Sequence, residues 1–185
     1  MRPLRSTLLT LTLLLPLGGH AAAIATGQPL PPLQIDELGE CVLRGDDTAF
    51  VPWRSDSLSG KVQVVEYMAA RAGIDKIQQP LYAAINAAAL PADRLALVKL
   101  VNADDALFGT GALVAPEIGK NKRLRTDETL VVDAEGVGRQ RWQLQPKGSA
   151  VAIVDATGTV LFFKEGALTA DEVAQAVTLL RQQLQ

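Results

Sequence analysis

The sequence predicts an α/β protein, a mixed β-sheet layered between helices with an N-terminal β-hairpin extension. Three observations carry that expectation. Val62-Gln63-Val64-Val65-Glu66-Tyr67-Met68 is a mostly apolar, valine-rich run that suits a central strand covered on both faces. Apolar residues then recur at helical spacing, and a second apolar run over residues 95–101 completes a strand–helix–strand order. Finally, Asp155-Ala156-Thr157-Gly158 separates two further apolar runs, a hairpin signal, before a closing helix.

The elements follow in order. Residues 26–32 are rich in Gly and Pro and read as an extended entry arm. Leu33-Gln34-Ile35 and residues 40–43 are expected to pair as a short hairpin with its turn at Gly39. After the central strand, Ile77, Leu81, Ile85 and Ala88 mark one face of a helix that is expected to begin near Ala72 and to kink at Pro80. Residues 92–94 return the chain to the second strand. Residues 107–125 carry Gly109, Gly111, Pro116 and Gly119, and only one helical turn is expected, near 115–120. Leu130-Val131-Val132-Asp133 is a third strand, and a loose helical segment runs from Val137 to Trp142. Residues 150–154 and 159–163 form the hairpin. Thr169 and Glu172 make a capping box for the last helix, whose apolar face is Val173, Ala176, Leu180 and Leu184.

Composition limits the chemistry. Arg2 and Arg5 precede an apolar stretch over residues 8–17, and Gly18-Gly19-His20-Ala21-Ala22-Ala23 supplies the small residues of a cleavage site. The expectation is a signal peptide over residues 1–23, cut after Ala21 or Ala23, and one domain over 24–185. No Cys follows the apolar stretch at a lipidation position, so no stable membrane anchor is expected. Cleavage leaves 16 of the 18 basic residues against 20 acidic ones, with few aromatics, which is no footprint for nucleic acid. The one histidine, His20, leaves with the signal, and Cys41 is the one cysteine. The mature chain therefore has no His-activated nucleophile, no His-based zinc site and no intrachain disulfide. No cofactor motif is present.

The segment 60–80, GKVQVVEYMAARAGIDKIQQP, resembles the active-site segment of periplasmic thioredoxin-like reductases and their peroxiredoxin relatives. Gly27-Gln28-Pro29, residues 36–39, Pro80, residues 154–158 and Gly166-Ala167-Leu168-Thr169 extend the likeness over nearly the whole mature chain. More narrowly, Thr26-Gly27-Gln28, Val101-Asn102-Ala103-Asp104-Asp105, Trp142-Gln143-Leu144 and Ser149-Ala150-Val151 resemble the YtfJ-type family of small periplasmic bacterial proteins, whose function is not established. The resemblance implies a thioredoxin-like fold and a periplasmic location. It also places the two cysteines of the redox motif on Ala72 and Asp75, and the proline opposite them on Ser149. A dithiol enzyme needs an activated thiolate and a second sulfur to resolve the mixed disulfide. Neither is present, so no disulfide reductase or isomerase activity is expected.

In the thioredoxin-like arrangement, Arg71, Ala72, Gly73, Asp75 and Ser149 form the vestigial patch. Helix N-terminal amides and Arg71 there suit an anionic group of a small ligand or of an envelope protein partner. Asn102, Asp104 and Asp105 form its rim; they lack the spacing of a calcium loop, and turn capping explains them better. Lys120, Lys122, Arg123 and Arg125 read as a solvated basic cluster, and Trp53 and Trp142 as core or edge residues. Three function classes remain. One is a non-redox thioredoxin-like binding module. A second is a single-cysteine peroxidase or thiol oxidoreductase using Cys41. A third is an enzyme working with carboxylates.

Overall fold

A computed structural model describes residues 23–185 of the chain. Residues 1–22, which hold nearly all of the expected signal peptide, lie outside the described residues. One seven-stranded sheet organises the fold, in the order β2-β1-β5-β4-β3-β6-β7. The strands are β1 Gln34–Arg44, β2 Asp47–Arg54, β3 Val62–Ala69, β4 Leu95–Asn102, β5 Thr129–Asp133, β6 Ser149–Val154 and β7 Val160–Glu165. β3, β4 and β5 run parallel to one another, and the β1–β2, β1–β5, β3–β6 and β6–β7 pairs are antiparallel. Every residue of β3 is buried, as its valine-rich run requires of a strand covered on both faces.

Among the described residues four α-helices accompany the sheet: α1 Gln79–Ala87, α2 Val114–Leu124, α3 Val137–Arg141 and α4 Ala170–Gln183. Alternation along the strands sends side chains into separate clusters. Val65, Tyr67, Val98, Leu100, Val131 and Ala152 face Leu33, Trp142 and Leu144 on one side. On the other, Val64, Val151 and Ile153 meet Leu81 and Ile85 of α1 and Ala176, Val177 and Leu180 of α4. A third cluster gathers Cys41, Met68, Val101, Leu130 and Val132 under Ile118 of α2. The capping box of α4 forms as expected, with Thr169 Oγ1 accepting from Glu172 N at 3.2 Å and Thr169 N donating to Glu172 at 2.8 Å.

Four local expectations are corrected. The segment at Leu38-Gly39 is a bulge within one long strand, not a hairpin turn; both residues have positive φ, and a Cβ on Gly39 would collide with the Val51 carbonyl. The real hairpin joins β1 to β2, a strand the sequence analysis does not anticipate. α1 begins at Gln79, not near Ala72, because Gly73 at φ 84° and a single 3₁₀ turn over Ile74–Lys76 intervene. Pro80 therefore lies in the first turn of the helix, where its missing N–H costs nothing, and does not kink it. Finally, residues 114–124 form a full helix of 11 residues; Pro116 lies in its first turn and is tolerated for the same reason.

Candidate functional site

The pleat of β3 and β4 assembles the site. Glu66 and Met68 share the face of Val62 and Val64, and the parallel register sets Glu66 beside Lys99. α1 packs on α4 over one part of this face, and α2 packs on β1, β2 and β5 over another. Between α1 and α2 a cleft of about 810 Å³ opens onto the sheet. Gln79, Tyr82 and Asn86, at helical spacing on α1, form one wall, and Glu117, Ile118 and Asn121 of α2 form the other. Glu66 and Lys99 form its floor, flanked by Met68, Leu97, Val101 and Leu130.

The floor is a buried polar group set in an apolar surround. Lys99 Nζ lies 3.0 Å from Glu128 Oε2 and 4.3 Å from the centroid of the Tyr82 ring. Glu128 is held in place from behind, because Lys122 Nζ donates to the Glu128 carbonyl at 2.6 Å and to that of Thr126 at 3.0 Å. Glu66 is only 1% exposed. Its one hydrogen bond of acceptable geometry comes from Ser149 Oγ at a long 3.4 Å. Burial pushes its carboxyl up to about 7, against the opposing pull of Tyr82, Lys99 and Ser149. The Tyr82 hydroxyl is buried without a hydrogen-bond partner of good geometry, and burial next to Glu66 raises its pKa strongly.

The residues anticipated from sequence are divided by the fold. Arg71 and Asp75 line the mouth of the cleft, whereas Ala72 and Gly73 are exposed in the turn outside its lining. Arg71 Nε donates to the Asp105 carbonyl at 2.7 Å, which ties the guanidinium to the loop after β4. Ser149 is buried beneath the site, between Gln78 Nε2 at 3.4 Å and Glu66. Asn102, Asp104 and Asp105 tie the loop after β4: Asn102 Nδ2 donates to Asp105 at 2.9 Å, Asn102 Oδ1 accepts from Asp104 N at 3.0 Å, and Lys147 N donates to Asp105 at 3.0 Å. Arg139 adds an ion pair to Asp104 at 3.4 Å. Sequence reasoning missed Glu66, Tyr82, Lys99 and Glu128 as a group. The signal was present, since Glu66 and Lys99 are the charged residues of two buried central strands.

Cys41 is fully buried on β1 and packs with Met68, Val101, Ile118, Leu130 and Val132. The sequence suggested no positive charge near it. The fold brings Lys122 and Arg123 of α2 close enough to favour the thiolate, but burial outweighs them and the thiol pKa is raised. Native protein at neutral pH is therefore expected to react with iodoacetamide at least about a hundredfold more slowly than unfolded protein, measured by mass spectrometry. Labelling at equal rates would show that the thiol is open to solvent.

The comparisons with known proteins agree on fold and family. A family model described as "Bacterial protein of unknown function (YtfJ_HI0045)" matches residues 24–183. The uncharacterized protein YtfJ of Escherichia coli (strain K12) is 39% identical over 181 residues, covering 98% of both chains. An uncharacterized protein of Haemophilus influenzae is 35% identical over 153 residues, covering 83% of each. Among solved structures, a thiol peroxidase from Chromobacterium violaceum superimposes with a TM-score of 0.58 at 12% identity, over 89% of this chain and 91% of that one. A 2-Cys peroxiredoxin of Plasmodium vivax gives 0.56 at 13% identity, over 85% and 96%. At these identities the two structures establish the thioredoxin-like fold alone.

Proposed function

The chain belongs to the YtfJ_HI0045 family of bacterial proteins, and from that premise we propose that it is a periplasmic binding module that uses the α1–α2 cleft in place of dithiol chemistry. The cleft carries this reading. It is concave and of ligand size, its walls are mixed apolar and polar, and a few buried polar groups converge on its floor. The positions aligned with the redox cysteines, Ala72 and Asp75, stand beside its mouth with no sulfur. The periplasmic assignment rests on the charged and apolar N-terminal segment; among the described residues no helix is long and apolar enough to cross a membrane. Arg71 at the mouth takes an anionic group of the ligand. The buried state of Cys41 does not favour a thiol-peroxidase role.

A thermal-shift screen of periplasmic metabolites tests the reading. At least one compound is expected to raise the melting temperature of the native protein. Asn121→Trp, which fills the cleft from α2, should abolish that shift while unfolding within a few degrees of native. Arg71→Ala should weaken the same compound by on the order of 1 kcal/mol, because an exposed charge is screened. A compound that stabilises both variants as well as the native protein binds elsewhere and contradicts the proposal.

A further inference from the structure

The charges of the cleft are not evenly satisfied. Each cation lining it has a partner: Lys99 has Glu128 at 3.0 Å and the Tyr82 ring, Arg125 has Glu128 at 3.6 Å, and Arg71 has the Asp105 carbonyl at 2.7 Å. The floor groups with only long or poorly aligned hydrogen bonds are instead the Glu66 carboxyl and the Tyr82 hydroxyl. Glu66, almost completely buried, accepts a long 3.4 Å bond from Ser149 and lies against the Tyr82 hydroxyl, which makes no hydrogen bond of good geometry. A buried acceptor with only long or poorly aligned donors is costly, and a ligand that supplies a better donor recovers part of that cost on binding. Around these two groups the cleft presents the apolar side chains of Met68, Leu97, Val101 and Ile118.

We propose that the floor binds the ammonium group of a small amphipathic amine, held between the Glu66 carboxylate and the Tyr82 hydroxyl oxygen, with the apolar body against Met68, Val101 and Ile118. This rests on reading the cleft as a binding site, and it names the chemistry of the ligand's inner end. It is compatible with an anionic outer end. Three strand residues, about 10 Å at the usual rise, separate Glu66 from the end of β3, where the chain turns toward Arg71. A ligand with an amine at one end and an anion at the other spans the two.

The geometry has a pH signature. The groups facing Glu66 are Lys99 from β4, Glu128 from the loop before β5, Tyr82 from α1 and Ser149 from β6. Burial raises this carboxyl from 4.5 to about 7. An ammonium ligand requires its ionised form, so binding strengthens by about tenfold between pH 6 and pH 8, as the ionised fraction rises. A neutral or anionic ligand gains nothing from that ionisation.

Three probes with one apolar body separate the cases: phenethylamine, 2-phenylethanol and phenylacetate. Backbone and methyl NMR titrations of the native protein at pH 6 and pH 8 provide the readout. Phenethylamine is expected to shift resonances of Met68, Tyr82, Lys99 and Ile118, about tenfold more tightly at pH 8, and to lower the Glu66 carboxyl pKa. Glu66→Gln should weaken it at least about tenfold and remove the pH dependence; Tyr82→Phe, which keeps the ring over Lys99, should weaken it about threefold. If phenylacetate or phenylethanol binds the cleft as well as the amine does, or if Glu66→Gln binds like native, the amine assignment fails and the cleft reading stands. If none of the three moves a cleft resonance while a screened metabolite does, the amine assignment again fails alone. If neither probes nor metabolites reach the cleft, both readings fall.

Discussion

Asp133→Ala is expected to lower the unfolding free energy by about 4 kcal/mol, a large part of the stability of a domain of this size. Asp133 is fully buried at the end of β5. One carboxylate accepts the Tyr67 hydroxyl at 2.7 Å, Val137 N at 2.9 Å and Gly138 N at 2.7 Å. It therefore joins the central strand to the first turn of α3. Removing it leaves two buried donors and one partly buried donor without partners, each buried one costing roughly 1–3 kcal/mol. Adding Tyr67→Phe should recover part of the loss by deleting one orphaned donor, although Tyr67 also packs edge-on against Trp142 at 6.0 Å. Urea unfolding of the single and double variants measures both effects. An additive double variant would mean that the hydrogen bond contributes nothing.

The second large effect is expected at Glu66 and depends on pH. Its carboxyl is raised in the folded protein from an ordinary 4.5 to about 7, chiefly by burial. The folded state therefore holds this proton over a range in which the unfolded chain has lost it. Its contribution to stability is fully present below about pH 4.5 and is lost as pH rises to about 7, with no further change above. The span corresponds to about 3 kcal/mol as an order of magnitude. Glu66→Gln keeps the shape and cannot ionise. It should match the native protein near pH 4.5 and exceed it by about 2–3 kcal/mol at pH 8. A variant less stable than native at pH 8 would show that Lys99 overcomes the burial penalty and keeps the carboxylate ionised.

Much of the fold was legible because its central elements carry strong local signals. The valine run of β3, the apolar run of β4, the Asp155–Gly158 turn and the Thr169–Glu172 box each combine a period with a boundary residue. β2 was hidden because it is an edge strand, and Pro52 within it reads as a breaker although an edge position tolerates the missing donor. The start of α1 was misplaced because alignment with a dithiol segment puts a helix N-terminus where Gly73 holds the chain in a left-handed turn. The 114–124 helix was obscured by Pro116 and Gly119. Proline is harmless in a first turn, and Gly119 is used where α2 approaches Thr48, whose Oγ1 would lie 2.8 Å from an added Cβ.

The candidate site was legible only at its mouth. Arg71 and Asp75 could be placed by alignment, but the floor joins residues from β3, β4, α1 and the loop before β5. That convergence depends on the parallel register of Glu66 with Lys99 and on the gap between α1 and α2. Neither is encoded in local spacing. What the sequence did offer was a charged residue in each of two buried central strands. A charge there is expensive unless paired or neutralised, and a strand keeps it at a cost in stability.

The most direct measurement of the central claim is a ¹³C-methyl NMR screen of the native protein against a fragment library, with Met68, Leu97, Val101, Ile118 and Leu130 as reporters in the cleft. The account predicts that hits collect on these methyls, that Asn121→Trp removes them, and that methyls on the buried face of α4, such as Val177 and Leu180, stay unmoved. Hits distributed over the surface without preference for the cleft, or unchanged by Asn121→Trp, would contradict it.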